Sequence, residues 1–223
     1  MQAGEKRPVI VYFFGGGWKL GTPLQFYREC AYYASKGMVA VSVDYRIEYL
    51  HHSPPFDSFE DAKDAICWLR SHASDYQLDP DKIAVAGGSA GGHLAAALGT
   101  IGSDEAVNYR PNLSVLYYPV VDMVSRGYGF PEIKRDFEKI SPIHHVSEAT
   151  PSTLILLGTK DPIVSVETIR SYQDKLLQKG VDCELHLFEG AGHPIFLYRK
   201  PLTEDYYKVR KLTDDFLKRE GFL

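Results

Sequence analysis

Short apolar runs alternate along this chain with longer segments of helical periodicity, and this alternation restricts the possible folds more than any other feature. Six runs rich in β-branched and aromatic residues predict strands at residues 9–14, 38–44, 83–87, 114–119, 153–157 and 183–188. The segments between and after them predict helices at residues 24–36, 59–72, 91–100, 166–179 and 203–219. Such alternation is typical of a parallel sheet with helices on both faces.

Local signals indicate where two of these helices begin or end. Ser58, with Asp61 three residues later, is the expected N-cap of the second helix, and Gly180 follows the fourth helix as a C-terminal stop. In the last strand Glu184 and His186 alternate with leucines, which favours a position at the edge of the sheet. Residues 122–145 contain several glycines and prolines and predict a long excursion that includes one short helix.

The length and charge of the chain narrow its class. We expect one α/β domain over residues 1–223, because 223 residues with 44% hydrophobic content suffice for one core. A net charge of −4 without a block of basic residues indicates no nucleic-acid partner. No stretch reaches the roughly 18 apolar residues of a membrane span, so we expect no membrane association.

The start of the chain and its cysteines bear on its compartment. Residues 1–8 are polar and do not resemble a signal peptide, which favours a cytoplasmic protein, or a secreted or periplasmic one if the N-terminus is truncated. The three cysteines, Cys30, Cys67 and Cys183, are far apart and have no C-x-x-C spacing. We interpret them as buried free thiols in a reducing compartment.

A G-x-S-x-G motif follows the third predicted strand and leads directly into a helix of small residues. In this motif, residues 87–91, Ser89 would occupy a tight turn that only small neighbours permit. Its hydroxyl would project above the sheet, and the amides at the start of the helix would face any anion that develops there. The alternative is a glycine-rich turn without catalytic duty.

A second glycine cluster, Gly15, Gly16 and Gly17, follows the first predicted strand. Since no side chain blocks access to these amides, the loop can donate hydrogen bonds to an oxyanion. The alternatives are a flexible turn or a phosphate cradle, and the latter is disfavoured because the spacing is not G-x-G-x-x-G and no Gly-Lys-Ser or Gly-Lys-Thr follows.

Two later strands end in loops that supply an acid and a base. Asp161 follows the fifth predicted strand, and His193 follows the sixth. Because the carboxyl ends of parallel strands meet at one edge of the sheet, we expect Ser89, Asp161, His193 and the glycine loop to converge on one crevice. The order serine, aspartate, histidine predicts a catalytic triad in which His193 activates Ser89 and Asp161 orients His193.

The remaining histidines and acids are weaker candidates. Asp122 also follows a strand and is the rival of Asp161 as the acid. The adjacent pairs at 51–52 and 144–145 are interpreted as solvated loop residues, so we expect no metal site. His93 and His186 are assigned to packing or surface positions, and His72 to a helix end.

Five motifs together resemble the α/β-hydrolase esterases related to hormone-sensitive lipase, particularly small carbohydrate acetyl esterases of the acetylxylan-esterase kind. They lie at residues 14–18, 44–46, 87–92, 158–161 and 190–196, and the resemblance covers nearly the whole chain. It implies the α/β-hydrolase fold, a three-layer α/β/α sandwich with a mostly parallel sheet of about six strands. It also implies oxyanion donors at the amides of Gly16, Gly17 and Ala90.

This chain departs from the family pattern in three places. Phe14 replaces the histidine that precedes the glycine loop in relatives, so another group must steady that loop. The two strands that usually precede the first one here are reduced or missing, and the cap is minimal. An open edge where those strands would pair makes a homodimer an expected possibility.

These observations predict a serine esterase that uses no cofactor and acts on short-acyl, mainly acetyl, esters of plant polysaccharide sugars or other small molecules. Trp18 and Tyr45 are candidate pocket residues, although burial in the core explains Tyr45 equally well. Two alternatives remain: an arylformamidase or amide hydrolase using the same triad, and a small-molecule binding protein on a hydrolase scaffold.

Overall fold

A computed structural model describes residues 6–102, 109–123, 136–198 and 202–223. Its centre is a six-stranded, entirely parallel sheet in the order β2-β1-β3-β4-β5-β6. The strands are β1 (Arg7–Phe13), β2 (Val39–Val43), β3 (Leu78–Gly88), β4 (Leu113–Tyr117), β5 (Ser152–Gly158) and β6 (Cys183–Phe188). All six predicted strands are therefore confirmed, and β6 lies at an edge as expected.

Helices connect these strands and cover the sheet. They are α1 (Tyr27–Ser35), α2 (Glu48–His51), α3 (Pro55–Ser71), α4 (Ala90–Thr100), α5 (Val166–Gln178) and α6 (Glu204–Arg219). Short 3₁₀ turns at Pro23–Phe26, Phe137–Ile140 and Pro142–His144 complete the described elements. The predicted helix at 24–36 is thus a 3₁₀ turn followed by α1, and α2 was not predicted.

The order of the strands determines which face each helix covers. The chain moves from β1 to β2 in one direction along the sheet and from β2 onward in the other. Because parallel crossovers are right-handed, α1 covers one face and α3, α4 and α5 cover the opposite face. Helix α6 joins α1, since the Tyr32 hydroxyl donates to Asp214 over 2.5 Å and the Tyr206 hydroxyl donates to Glu29 over 2.5 Å. The result is the expected α/β/α sandwich of the α/β-hydrolase fold.

The direction of winding reverses between β1 and β3, which are adjacent strands. Ligands of open parallel sheets bind at such switch points, beyond the carboxyl ends of the strands. The loop after β1 contains Gly15–Gly17, and the turn after β3 contains Ser89. The topology therefore brings the two glycine-rich motifs to the same crevice.

Some predicted details are wrong or need qualification. Ser58 is not an N-cap, because α3 begins at Pro55 and Ser58 lies fully buried inside it, where its hydroxyl donates to the Arg46 carbonyl over 2.7 Å. Gly180 does end α5, with a φ of +73° that favours glycine. Of the three free cysteines, only Cys183 is buried, while Cys30 and Cys67 are half-buried.

Two further predictions concern the excursion at residues 122–145 and the absence of membrane-spanning segments. Within the excursion predicted for 122–145, residues 124–135 lie outside the described residues, and the rest holds two 3₁₀ turns. Among the described helices, none combines the length and the apolar character needed to cross a bilayer.

Candidate active site

Ser89 occupies a strained turn between β3 and α4. Its φ of +57° and ψ of −119° are rarely adopted by a residue with a side chain, and strain of this kind is typical of a nucleophile elbow. The Ser89 amide donates to the Tyr117 carbonyl over 3.0 Å, which ties the elbow to β4. A Cβ on Gly91 would lie 2.0 Å from the Phe13 carbonyl oxygen, so this position of the motif requires glycine.

The glycine loop after β1 lies against this elbow. A Cβ on Gly15 would lie 2.7 Å from the Gly88 carbonyl oxygen, which shows how closely the two turns approach. Gly17 has a φ of +65° and Gly16 a φ of +145°, so both adopt backbone conformations that favour glycine. Within the described residues, the amides of Gly16 and Gly17 donate to no protein acceptor.

Gln25 and Tyr45 steady this loop, in which Phe14 replaces the histidine of the family pattern. The Gly15 amide donates to the side-chain oxygen of Gln25 over 2.6 Å. The Phe14 ring stacks on Tyr45, with centroids 4.0 Å apart, and the Tyr45 hydroxyl donates to the Phe14 carbonyl over 2.6 Å. Gln25 was not predicted, because nothing in the local pattern pairs it with a residue ten positions earlier.

The structure buries both candidate pocket residues, Trp18 and Tyr45, and for Tyr45 burial in the core is the alternative that the sequence left open. Trp18 is 1% exposed and its ring packs edge-on against His93, with centroids 5.1 Å apart. Tyr45 is fully buried beneath the glycine loop. Both aromatic residues therefore support the site from within the core and do not contact its open space.

Asp161 and His193 form a buried hydrogen-bonded pair. Nδ1 of His193 lies 2.7 Å from Oδ2 of Asp161, and the two side chains are 10% and 0% exposed. Oδ1 of Asp161 accepts the amides of Ile163 and Val164 over 2.8 and 2.9 Å. Because a carboxylate only accepts, the imidazole donates from Nδ1, which leaves Nε2 as an acceptor. Asp122, the rival acid, does not take this position.

The loops that carry the acid and the base are joined directly. The Lys160 amide donates to the Ala191 carbonyl over 2.9 Å, and the Gly190 amide donates to the Thr159 hydroxyl over 2.8 Å. A Cβ on Gly158 would lie 2.3 Å from the Ala191 carbonyl oxygen. These contacts fix the two loops relative to each other. The distance between the carboxylate and the imidazole is therefore set by one joined structure.

Tyr118, directly after β4, completes the surroundings of the imidazole. Its ring packs edge-on against His193, with centroids 4.6 Å apart, and its hydroxyl donates to the Phe196 carbonyl over 3.3 Å. Its φ of +40° is unusual for a residue with a side chain. Tyr118 was not predicted, although its position just beyond the carboxyl end of a strand was an available signal.

One cleft of about 470 Å³ brings the candidate residues together. Its walls include Gly16, Gly17, Ser89, Tyr118 and His193. Ala90, the third residue that the resemblance assigns to the oxyanion, is the first residue of α4 and directly follows Ser89. A hydroxyl on an elbow, an imidazole oriented by a carboxylate and unengaged amides can together support nucleophilic attack on a carbonyl.

The other histidines do not line the cleft. His93 is fully buried behind the elbow, where its Nε2 lies 2.7 Å from the Ile140 carbonyl oxygen, and burial lowers its pKa to about 4. His186 pairs with Glu184 over 3.0 Å on the edge strand, and desolvation lowers its pKa. His72 caps the end of α3, as the sequence suggested.

The parallel sheet, the elbow and the acid–base pair at its carboxyl edge define an α/β-hydrolase. Residues 1–133 match the family model described as BD-FAE, and the chain belongs to this family. The resemblance to esterases related to hormone-sensitive lipase is thereby confirmed.

Curated relatives of the chain are named esterases. Esterase LipC of Mycobacterium tuberculosis is 31% identical, and the match covers 83% of this chain and 52% of LipC. An acetylxylan esterase of Xylanibacter ruminicola is 25% identical, and the match covers 88% of this chain and 44% of that protein. The chain thus spans about half the length of these curated relatives.

Solved structures show the same architecture. The native structure of the thermophilic esterase Est2 from Thermogutta terrifontis superposes with a TM-score of 0.91 at 37% identity, and the match covers all of this chain and 85% of Est2. Est2 has also been solved with propionate and with butyrate bound, and phosphonylated by cyclosarin.

Proposed function

We propose that this protein is a serine esterase in which Ser89 is the nucleophile, His193 the general base and Asp161 the residue that orients His193. The observation that carries the proposal is the 2.7 Å contact between His193 and Asp161 at the cleft whose wall contains the Ser89 elbow. The family membership and the named esterases among the relatives support the same reaction class.

In the proposed reaction, Nε2 of His193 takes the proton of Ser89 as the serine oxygen attacks the ester carbonyl carbon. The amides of Gly16, Gly17 and Ala90 donate to the oxyanion that forms. The tetrahedral intermediate then collapses, the C–O bond to the alcohol breaks, and His193 protonates the departing alcohol oxygen. Water activated by His193 hydrolyses the acyl-enzyme, which releases the acid and restores Ser89. No step of this scheme calls for a cofactor.

The substrates we propose are short-acyl esters, in particular acetyl esters of plant polysaccharide sugars. The acetylxylan esterase among the relatives supports the acetyl group and the saccharide, and the propionate and butyrate complexes of Est2 support short acyl chains in this fold. Faster cleavage of octanoate than of acetate esters would contradict the preference for short acyl groups.

The proposal is tested with 4-nitrophenyl acetate and a fluorophosphonate probe. Ser89→Ala should lower kcat by about 10⁴-fold to 10⁶-fold and abolish labelling, because no other hydroxyl occupies the elbow. Ser74→Ala is the matched control. Ser74 is exposed in the turn that precedes β3, at the amino ends of the strands, whereas Ser89 lies at their carboxyl ends. Retained turnover in Ser89→Ala would exclude the mechanism. Preferential hydrolysis of N-formylkynurenine would indicate the arylformamidase alternative, and an unlabelled wild type would indicate a binding protein.

A further inference from the structure

A second cavity adjoins the cleft that contains Ser89. It has a volume of about 330 Å³ and shares two wall residues, Gln25 and Leu197, with the first cleft. Its other walls come from Leu24 in the 3₁₀ turn before α1, from Tyr27 and Arg28 at the beginning of α1, and from Tyr198. The two cavities are therefore neighbours along these shared residues.

The position of this cavity indicates which half of an ester it receives. His193 must protonate the departing alcohol oxygen, so the alcohol lies on the imidazole side of the reacting carbonyl. Leu197 and Tyr198 belong to the segment that follows His193 and form a wall of the second cavity. Since the acyl group stays on Ser89, a cavity walled by the segment that follows His193 is placed on the side of the alcohol.

Arg28 gives the second cavity a positive charge. Its guanidinium carbon lies 3.8 Å from the centroid of the Tyr198 ring, a cation–π contact that limits the motion of the side chain. The adjacent Glu29 is buried and engaged by Tyr206 and Arg210. Within the described residues, Arg28 forms no ion pair, so its N–H groups are available to a ligand.

The remaining walls suit a ring or chain that carries the anion. Leu24 and Tyr27 line the cavity and are 75% and 66% exposed, so they offer apolar surface to a bound group. A guanidinium binds a carboxylate through two parallel hydrogen bonds, a geometry that a neutral hydroxyl or amide does not reproduce.

We propose that the second cavity is the alcohol subsite of the esterase and that Arg28 selects esters whose alcohol part carries a carboxylate. This inference rests on the esterase function proposed above and adds the chemical class of the leaving group. It makes Arg28 a specificity-determining residue that acts on substrate binding and takes no part in bond breaking.

Two matched pairs of acetyl esters test the inference: 4-carboxyphenyl acetate against 4-carbamoylphenyl acetate, and their homologues with one methylene between ring and carbonyl. The measured quantity is the ratio of kcat/KM for the carboxylate to kcat/KM for the amide. Intrinsic ester reactivity cancels when this ratio is compared between variants. Arg28→Gln should lower the ratio about tenfold for at least one pair, and Arg28→Lys should restore part of it. Added NaCl should lower the ratio in the wild type and much less in Arg28→Gln.

Two control variants distinguish Arg28 from general effects of charge. Lys179→Gln removes the same charge at the exposed end of α5, on the opposite edge of the sheet, and should leave the ratio unchanged. Lys19→Gln removes the cation on the wall of the first cleft. The inference is overturned if Arg28→Gln leaves both ratios unchanged, or if Lys19→Gln or Lys179→Gln lowers them equally.

The outcome is separable from failure of the esterase function. A wild type that hydrolyses none of the four esters and takes no fluorophosphonate label at Ser89 contradicts the proposed function itself. A wild type that hydrolyses them, with ratios insensitive to Arg28, contradicts only the alcohol subsite. Labelling of Ser89 in Arg28→Gln at the wild-type rate establishes that this variant is folded.

Discussion

The ring of Tyr118 packs edge-on against the imidazole of His193, with ring centroids 4.6 Å apart. On another side of the imidazole, Asp161 holds Nδ1 at 2.7 Å. The Tyr118 hydroxyl also donates to the Phe196 carbonyl, three residues beyond His193. Tyr118 therefore contacts both the imidazole and the segment that carries it, as expected of a residue that positions the base.

Tyr118→Leu should lower kcat about tenfold with little change in KM, because a freer imidazole spends less time aligned with Ser89. Tyr118→Phe keeps the ring and loses only the hydroxyl, so it should retain most of the activity. Steady-state kinetics with 4-nitrophenyl acetate gives both parameters. Equal loss in the two variants, or a change confined to KM, would contradict a positioning role for the ring.

Asp161→Asn should lower kcat by about 10⁴-fold, because an amide orients the imidazole and stabilises the imidazolium less well than the carboxylate does. Asp122→Asn is the comparison, since Asp122 was the rival acid in the sequence. Its kcat should stay close to that of the wild type. An inactive Asp122 variant beside an active Asp161 variant would reverse the assignment.

Gln25→Leu should lower kcat about tenfold, because the Gly15 amide loses its acceptor at 2.6 Å and the neighbouring oxyanion amides lose their fixed position. Gln173→Leu is the control, because Gln173 lies on α5 and makes one long contact of 3.4 Å to a backbone carbonyl. Circular dichroism melting shows whether either variant is unfolded. Activity equal to the control would mean that Tyr45 alone steadies the loop.

The stability of the protein should decrease as the pH falls from about 6.5 towards 4, because burial lowers the pKa of His93 from 6.5 to about 4. Over this range the unfolded chain binds a proton that the folded protein excludes, so the free energy of unfolding rises with pH. His93 should contribute about 2 kcal/mol of this change between pH 7 and pH 5. Urea unfolding of the wild type and His93→Gln at both pH values measures the difference. If the difference in free energy of unfolding between the wild type and His93→Gln is the same at both pH values, the prediction is contradicted.

The sequence predicts which segments form strands and helices, because this depends mainly on neighbouring residues along the chain. The apolar runs predicted all six strands, and the small residues around Ser89 predicted the elbow, since a Cβ at Gly91 would meet β1. The ends of the strands were predicted less well. β3 begins at Leu78, five residues before the predicted start, because Leu78 pairs with Arg7 across a register shift.

Side-chain environments were decided by tertiary packing. Trp18 and Tyr45 lie next to functional motifs in the sequence, yet packing against His93 and Phe14 buries them. Tyr118 is 75 positions from His193, and only the adjacency of strand ends brings the two rings together.

The sequence predicts the alternation of strands and helices, the tight turn at Ser89, and the placement of Asp161 and His193 after consecutive strands. These follow from local sterics and hydrophobic periodicity. The contact of Gln25 with the glycine loop and the contact of Arg28 with Tyr198 are seen only in the folded protein. Such contacts depend on the relative positions of distant elements, and these positions are set together when the whole core is packed.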